Sequence, residues 1–170
     1  MKLEFIPTTS DADIALLAKI ADEIWHEYWP GTLSYAQVDY MVEKFQSIPA
    51  ITKAIREEGY DYWILKADGH IVGYTGGCVE LDSKRYFISK VYLYDTERGK
   101  GYASQVIKHY ETLCHQRGLV AMYLTVNKYN ELGIRAYKAK GFNTIDSVVS
   151  SIGQGFVMDD FIMEKKITDG

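Results

Sequence analysis

The sequence predicts a mixed α/β fold, with helices packed on the faces of a mixed sheet. Residues 11–58 carry apolar side chains at helical spacing. Residues 60–94 alternate between β-branched or aromatic runs and turn residues, as a meander of strands does. A strand–helix–strand pattern then covers residues 85–126, followed by a short helix and a hairpin. The 170 residues suffice for one domain with a substantial core.

The N-terminal part is predicted as one strand followed by three helices. Residues 2–6 form the strand, and residues 11–28 form the first helix because apolar side chains recur every three or four positions. Ser34 begins the second helix, and Pro49 opens a third, short helix that ends near Glu58.

The middle of the chain is predicted as three consecutive strands. Residues 60–67 and 71–81 form a hairpin, because the Asp-Gly pair at 68–69 is typical of two-residue turns. The Gly-Gly pair at 76–77 predicts a β-bulge in the second strand. The third strand covers residues 85–94.

The remaining elements are read from glycine positions and apolar runs. A helix follows the glycine loop and ends near Arg117, and residues 119–126 are apolar on both faces, as in a central strand. Residues 130–142 predict a short helix that starts at an asparagine cap and ends at a glycine. Residues 143–167 predict a closing hairpin.

Composition excludes several classes of protein. The net charge of −4 is not the basic footprint of a nucleic-acid-binding protein. No apolar run is long enough to cross a bilayer, and the acidic N-terminus is unlike a secretion signal. Cys78 and Cys114 lie in apolar patterns, which predicts reduced, buried thiols. We therefore expect a cytoplasmic protein without nucleic-acid or membrane partners, and we predict no metal site.

The stretch YDTERGKGYAS, residues 94–104, places two glycines and two cations between a strand and a helix. The first N–H groups of a helix have no partner within it and carry partial positive charge, and glycines allow positive φ. The loop is thus suited to an anion, most naturally a pyrophosphate, with Arg98 and Lys100 adding charge. The alternative is an ordinary turn with surface cations.

Two other phosphate-binding motifs fit this loop poorly. A Walker loop requires Ser or Thr directly after its lysine, but Gly101 follows Lys100. A dinucleotide fingerprint requires Gly or Ala where Ser104 stands and an acidic residue where the next strand ends at Val126-Asn127.

A second motif follows at the next strand end. Arg-x-x-Gly-x-Ala at 98–103 and Asn-x-x-Asn-x-x-x-x-x-Ala-Tyr-x-x-x-Gly-Phe at 127–142 together resemble the GNAT superfamily of acyl-CoA-dependent N-acetyltransferases. The separation of the motifs and the order of elements agree with that family over about residues 60–142. The resemblance implies a mostly antiparallel sheet of six or seven strands with a central, splayed parallel pair.

The resemblance also implies one domain over residues 1–170. Its acceptor-side helices would cover about residues 11–58, its cofactor-binding core residues 60–142 and its C-terminal hairpin residues 143–167. Acetyl-CoA would be the acyl donor, and no metal would be required.

The resemblance assigns cofactor contacts position by position. Main-chain amides of residues 98–103 would bind the pyrophosphate, and residues 91–93 would pair with the pantetheine arm as with an extra strand. Asp95 stands where many family members have proline. The implied cofactor-binding residues are Val91, Tyr92, Leu93, Arg98, Gly99, Lys100, Gly101, Tyr102, Ala103, Ser104, Asn127, Asn130 and Tyr137.

Tyr137 would assist departure of the thiolate. A phenol with a pKa of about 10 would give its proton to a thiolate of conjugate pKa about 8.5 at a cost of about 2 kcal/mol. Tyr137 is therefore expected to act mainly as a hydrogen-bond donor to the sulfur. Glu80 is the first candidate for the general base, with His26, Glu27, Asp159 or a chain of waters as alternatives.

The acceptor site is predicted near residues 24–31, IWHEYWPG. Trp25, His26, Tyr28 and Trp29 would line an amine pocket through cation–π contacts, or equally would attach the helices to the sheet. Asp159, beside Asp160 in the last strand, would contact a cationic acceptor.

The acceptor-side helices and the closing segment 157–167 resemble the bacterial polyamine acetyltransferases. A polyamine or another small amine is thus the expected acceptor, and a protein N-terminus, a lysine, an aminoglycoside or an amino acid are alternatives. A catalytically silent acyl-CoA sensor or interaction module is the alternative function. The sheet edge left by the last hairpin makes a homodimer plausible.

Overall fold

The computed structural model describes residues 2–28 and 34–167. These residues form seven strands and five helices, with ends within three residues of those predicted. In chain order they are β1 (Glu4–Pro7), α1 (Asp11–Tyr28), α2 (Tyr35–Phe45), α3 (Ile48–Glu57), β2 (Tyr60–Ala67), β3 (His70–Glu80), β4 (Arg85–Leu93), α4 (Tyr102–Arg117), β5 (Ala121–Asn127), α5 (Glu131–Ala139), β6 (Asn143–Gly153) and β7 (Phe156–Lys166). A 3-10 turn, Asp95–Glu97, precedes α4.

The strands form one sheet in the order β1-β2-β3-β4-β5-β7-β6. The pairs β1–β2, β2–β3, β5–β7 and β6–β7 are antiparallel. Arg85–Ile88 of β4 pair in parallel with Ala121–Leu124 of β5, and each strand continues beyond the paired stretch. The predicted fold class, a mostly antiparallel mixed sheet with one parallel pair, is confirmed.

The chain forms two compact units. The first contains residues 2–28, 34–78 and 90–106, with the helices α1–α3 and the hairpin of β2 and β3. The second contains residues 79–89 and 107–167, with the parallel pair, most of α4, α5 and the closing hairpin.

The core of the first unit is built on the apolar face of α1. Its Ile14, Leu17 and Ile24 are completely buried, as the helical spacing of the sequence predicts. Trp25 is also buried, and its indole Nε1 donates to the Tyr74 hydroxyl at 2.5 Å. Burial of these side chains anchors α1 to the sheet.

The hairpin of β2 and β3 turns where the sequence predicts it. Asp68 and Gly69 both have positive φ, +49° and +79°, as a type I′ turn requires. In the pairing of β3 with β2 no bulge lies at the predicted residues 76–77, and the register shifts opposite Leu65 and Lys66 instead. A Cβ at Gly76 would lie 2.6 Å from the Tyr62 ring, so this glycine serves close packing.

The core of the second unit lies between β4, β5, β7 and α4. Tyr86 and Tyr110 pack with ring centroids 5.1 Å apart, and both are completely buried. Cys114 is buried in the same helix, and burial raises the pKa of its thiol to about 11. Cys78 is half-buried, so the prediction of burial is confirmed only for Cys114, and both cysteines are reduced thiols.

Candidate active site

The glycine loop has the backbone conformation that the sequence predicts. Gly99 and Gly101 adopt φ of +77° and +82°, a region that favours glycine. A Cβ at either position would meet nothing within 4 Å, so conformation and not crowding requires glycine here. The buried side chain of Tyr102 anchors the start of α4 at the end of this loop.

The first turn of α4 presents backbone donors at this loop. The first intrahelical hydrogen bond runs from the N–H of Gln105 to the carbonyl of Gly101. The N–H groups of Tyr102, Ala103 and Ser104 precede it and have no acceptor within the helix. A 16-residue helix adds partial positive charge at this end. The loop can therefore hold an anion through its backbone.

The two loop cations pair with acidic residues of the 3-10 turn. Arg98 lies 2.7 Å from the Asp95 carboxylate, and Lys100 lies 3.2 Å from that of Glu97. Burial opposes ionisation of Glu97, but Lys100 and His70 outweigh it and lower the pKa of this carboxyl group. Both cations are about half-exposed, and the Arg98–Asp95 pair, exposed on both sides, is weak enough for a phosphate to compete with it.

Two carboxylates of α1 hold the start of the loop, which the sequence analysis missed. The Tyr94 hydroxyl donates to Glu23 at 2.6 Å, and the N–H of Asp95 donates to Glu27 at 2.9 Å. Their spacing of four residues on one helix face was the available signal. Glu27, a candidate base, is thus engaged with the loop backbone.

The predicted acceptor-site aromatics have different surroundings. Trp25 is buried against Tyr92, with ring centroids 5.3 Å apart, which supports its interpretation as an anchor between helix and sheet. The side chain of Tyr28 and all of Trp29 lie outside the described residues.

His26 lies near the end of α1 and links it to α2. Its Nε2 lies 2.5 Å from Asp39, and its Nδ1 lies 2.8 Å from the carbonyl of Asp22. The Asp39 carboxylate, with the Asp22 carbonyl, raises the pKa of the imidazole. With both ring nitrogens already engaged, His26 is a poor general base.

In the second unit, two asparagines shape the turn from β5 to α5. Asn127 Oδ1 accepts from the N–H of Tyr129, and Asn130 Oδ1 accepts from the N–H of Gly133, both at 2.9 Å. The second bond is the predicted N-cap of α5. Both predicted cofactor residues therefore also position this turn.

Tyr137 lies two turns along α5 from Asn130 and is half-buried. Its ring meets the edge of Phe142, with centroids 5.6 Å apart and planes at 69°. Phe142 is buried and its N–H donates to the Tyr137 carbonyl, while Gly141 has φ of +98° as predicted. The contacts of Phe142 thus hold in place the end of α5 that carries the Tyr137 side chain.

Glu80 is enclosed by donors in the second unit. Its carboxylate accepts hydrogen bonds from the Tyr123 hydroxyl, from Ser83 Oγ at 2.7 Å and from Arg85 at 3.1 Å. The Tyr123 bond is the main reason that the pKa of Glu80 is lowered. Arg85 also contacts Glu164 at 3.0 Å and lies over the Tyr123 ring.

A carboxylate with a lowered pKa is a weak base, so we expect Glu80 to act structurally. Glu80→Gln should lower the free energy of unfolding by about 1 kcal/mol and leave kcat within about twofold. Chemical denaturation and a thiol-release assay measure the two effects. Asp82→Asn, in the same turn and exposed, is the control. A loss of about 100-fold in kcat at unchanged stability would identify Glu80 as the base instead.

Asp159 and Asp160 lie on neighbouring positions of β7. The Asp159 carboxylate lies 2.8 Å from the ammonium of Lys128, which also lies over the Phe161 ring. Asp160 is only 9% exposed, and burial raises its pKa to about 6, with a further contribution from Asp159. The pKa of the Asp160 carboxyl group is thus unusually high for an aspartate.

Two negative findings apply to residues 2–28 and 34–167. No helix in these ranges is long and apolar enough to cross a membrane. Within the same ranges, histidine, cysteine, aspartate and glutamate side chains form no group of three or more able to hold a metal ion.

Comparison with known proteins gives a family but no near relative. Residues 19–142 match the profile of the acetyltransferase (GNAT) family. A search of curated proteins finds no significant match.

Solved structures show the same fold at low sequence identity. The PaiA N-acetyltransferase of Thermoplasma acidophilum, in complex with coenzyme A, has a TM-score of 0.78 at 20% identity, covering 98% of this chain and 99% of that one. The ribosomal-protein-S18-alanine N-acetyltransferase of Escherichia coli has a TM-score of 0.70 at 15% identity, covering 99% and 96%. A variant of the spermidine N-acetyltransferase SpeG of Vibrio cholerae has a TM-score of 0.66 at 16% identity, covering 96% and 93%. With a family match over most of its length and the glycine loop in place, the chain belongs to the GNAT family of acetyltransferases.

Proposed function

We propose that this acetyltransferase transfers the acetyl group of acetyl-CoA to a primary amine, by direct attack within a ternary complex. The observation that carries the proposal is the loop at residues 98–104. Its two glycines have positive φ, and the open backbone donors of α4 follow directly. A diphosphate has the charge and the acceptor oxygens that such donors bind.

The chain's own residues suffice to hold the cofactor. Amides of Gly99, Gly101, Tyr102 and Ala103 bind the pyrophosphate, Arg98 exchanges its weak surface pair with Asp95 for it, and Lys100 adds positive charge. The backbone of Val91–Leu93 pairs with the pantetheine arm. In support, β4 continues through these residues after its pairing with β5 ends at Ile88.

Transfer of the acetyl group requires a neutral amine, a stabilised oxyanion and a stabilised leaving thiolate. We assign the oxyanion to a main-chain amide of Tyr92 or Leu93. We assign the thiolate to the hydroxyl of Tyr137, which donates a hydrogen bond as charge develops on sulfur. Free acetyl-CoA supplies the activated thioester, so no metal is needed.

A small amine such as a polyamine is the acceptor that we favour. Among proteins of similar fold, one is a spermidine acetyltransferase and another acetylates the alanine of a ribosomal protein. The buried carboxylate of Asp160 in β7, which has no ion-pair partner of its own among the described residues, supports a cationic acceptor over a neutral one. A protein N-terminus or a lysine is the alternative acceptor. The two reduced cysteines support a reducing, cytoplasmic location.

Calorimetric titration with acetyl-CoA, CoA and ATP tests the proposal. We expect micromolar affinity for both CoA species and at least about tenfold weaker binding of ATP, which lacks the pantetheine arm. A thiol-release assay with an amine panel headed by spermidine then tests turnover. CoA binding without any turnover would indicate a silent acyl-CoA sensor. If CoA does not bind, the loop is an ordinary turn and the proposed function is wrong.

A further inference from the structure

Asp160 is a buried carboxylate without a counterion of its own. Its side chain is 9% exposed, and its Oδ1 is fully buried without a hydrogen-bond donor among residues 2–28 and 34–167. Lys128, the cation that favours its charged form, pairs with Asp159 instead. An unpaired buried charge costs several kcal/mol, so a fold retains it only where the charge has a use.

The strand register shows on which side of the sheet Asp160 lies. Asp160 is the direct partner of Asn127 in β5 and of Val148 in β6, so these three side chains share one face. Lys165 projects from β7 to the opposite face, where it contacts Glu111 of α4 at 2.6 Å. Asp160 therefore lies on the face away from α4, beside the end of the central strand β5.

The charges around Asp160 are few. On β7 itself, Asp159 repels its negative charge, and Lys128, in the turn after β5, attracts it. Farther along the same face, Glu164 is already paired with Arg85. A mobile cation is therefore the partner that this carboxylate lacks.

We propose that Asp160 receives the non-reacting ammonium of a diamine or polyamine acceptor. This inference rests on the proposed function and assigns the residue that selects its substrate. The attacking amine must be neutral, and a neighbouring carboxylate would hold it in its protonated form. A second ammonium stays charged throughout, so a desolvated carboxylate binds it by a charge-assisted hydrogen bond at no cost to the chemistry.

Comparison of two acceptors of equal chain length isolates this contact. Thiol release is measured with 1,4-diaminobutane and with 1-aminobutane for the wild type and for Asp160→Asn. We expect the variant to lower kcat/KM for the diamine by at least about tenfold and to change that for the monoamine by less than about twofold. Asp146→Asn, an exposed aspartate of β6, is the control and should change neither.

A binding measurement keeps the inference independent of turnover. 1,4-Diaminobutane is titrated into CoA-saturated protein, and Asp160→Asn should weaken its binding by about the same factor. Equal affinity of the two proteins, no binding to the wild type, or an equal loss of kcat/KM for both amines would overturn the inference. If the proposed function itself is wrong, the wild-type protein will not bind CoA, and this result is distinct from the outcomes above.

Discussion

Replacing Tyr137 with phenylalanine is expected to lower kcat about 100-fold, the usual contribution of one positioned proton or hydrogen-bond donor. The ring contact with Phe142 remains in the variant, so the helix end keeps its support. The Kd for CoA should stay within about twofold, because the loop at residues 98–104 supplies most of that affinity. A thiol-release assay measures kcat, and calorimetry measures the Kd for CoA.

Tyr129→Phe is the matched control for this change. Tyr129 lies in the turn before α5, and its side chain is 78% exposed. Removing its hydroxyl should leave kcat unchanged. If Tyr137→Phe behaves like the control, the phenol has no role at the sulfur, and the assigned mechanism is wrong.

The second large effect is expected at Gly101. Alanine at φ of +82° costs about 1 kcal/mol in the free energy of unfolding. The added methyl group also points into the open space beside the first N–H groups of α4. If the pyrophosphate occupies that space, Gly101→Ala should raise the Kd for CoA at least about tenfold.

Gly118→Ala is the control that separates the effect of backbone strain from the effect of lost CoA binding. Gly118 follows the last turn of α4 with φ of +66°, and a Cβ there also meets nothing within 4 Å. Both variants should lose about 1 kcal/mol of stability in chemical denaturation, but only Gly101→Ala should lose CoA affinity. An unchanged Kd for Gly101→Ala would show that the pyrophosphate of CoA does not bind at this loop.

Prediction of the fold succeeded where the signal is local. The apolar spacing of α1, the Asp68-Gly69 turn and the asparagine cap of α5 each depend on neighbouring residues, and the structure confirms them. The Gly-Gly pair did not locate the register shift between β2 and β3, because glycine marks both bulges and close packing. Only the position of the Tyr62 ring shows that Gly76 belongs to the second case.

In the candidate site, too, the local features were predictable from the sequence and the long-range contacts were not. Gly99 and Gly101 were predictable, because positive φ has a residue-type signature. The hydrogen bonds that residues 94–95 donate to Glu23 and Glu27 were not, because they join positions about seventy residues apart. Trp25 was open to two interpretations until its burial favoured the anchor.

The amino-acid sequence by itself determined the order of the elements, the loop conformation and the family. These depend on periodicity, turn chemistry and spacing along one chain, all of which are local. Only the tertiary structure decided the electrostatic state of the carboxylates. Glu80 is surrounded by donors that lower its pKa, whereas Asp160 is buried without one and its pKa rises to about 6. Desolvation and partner distance set these states, and both depend on residues that folding brings together from distant parts of the chain.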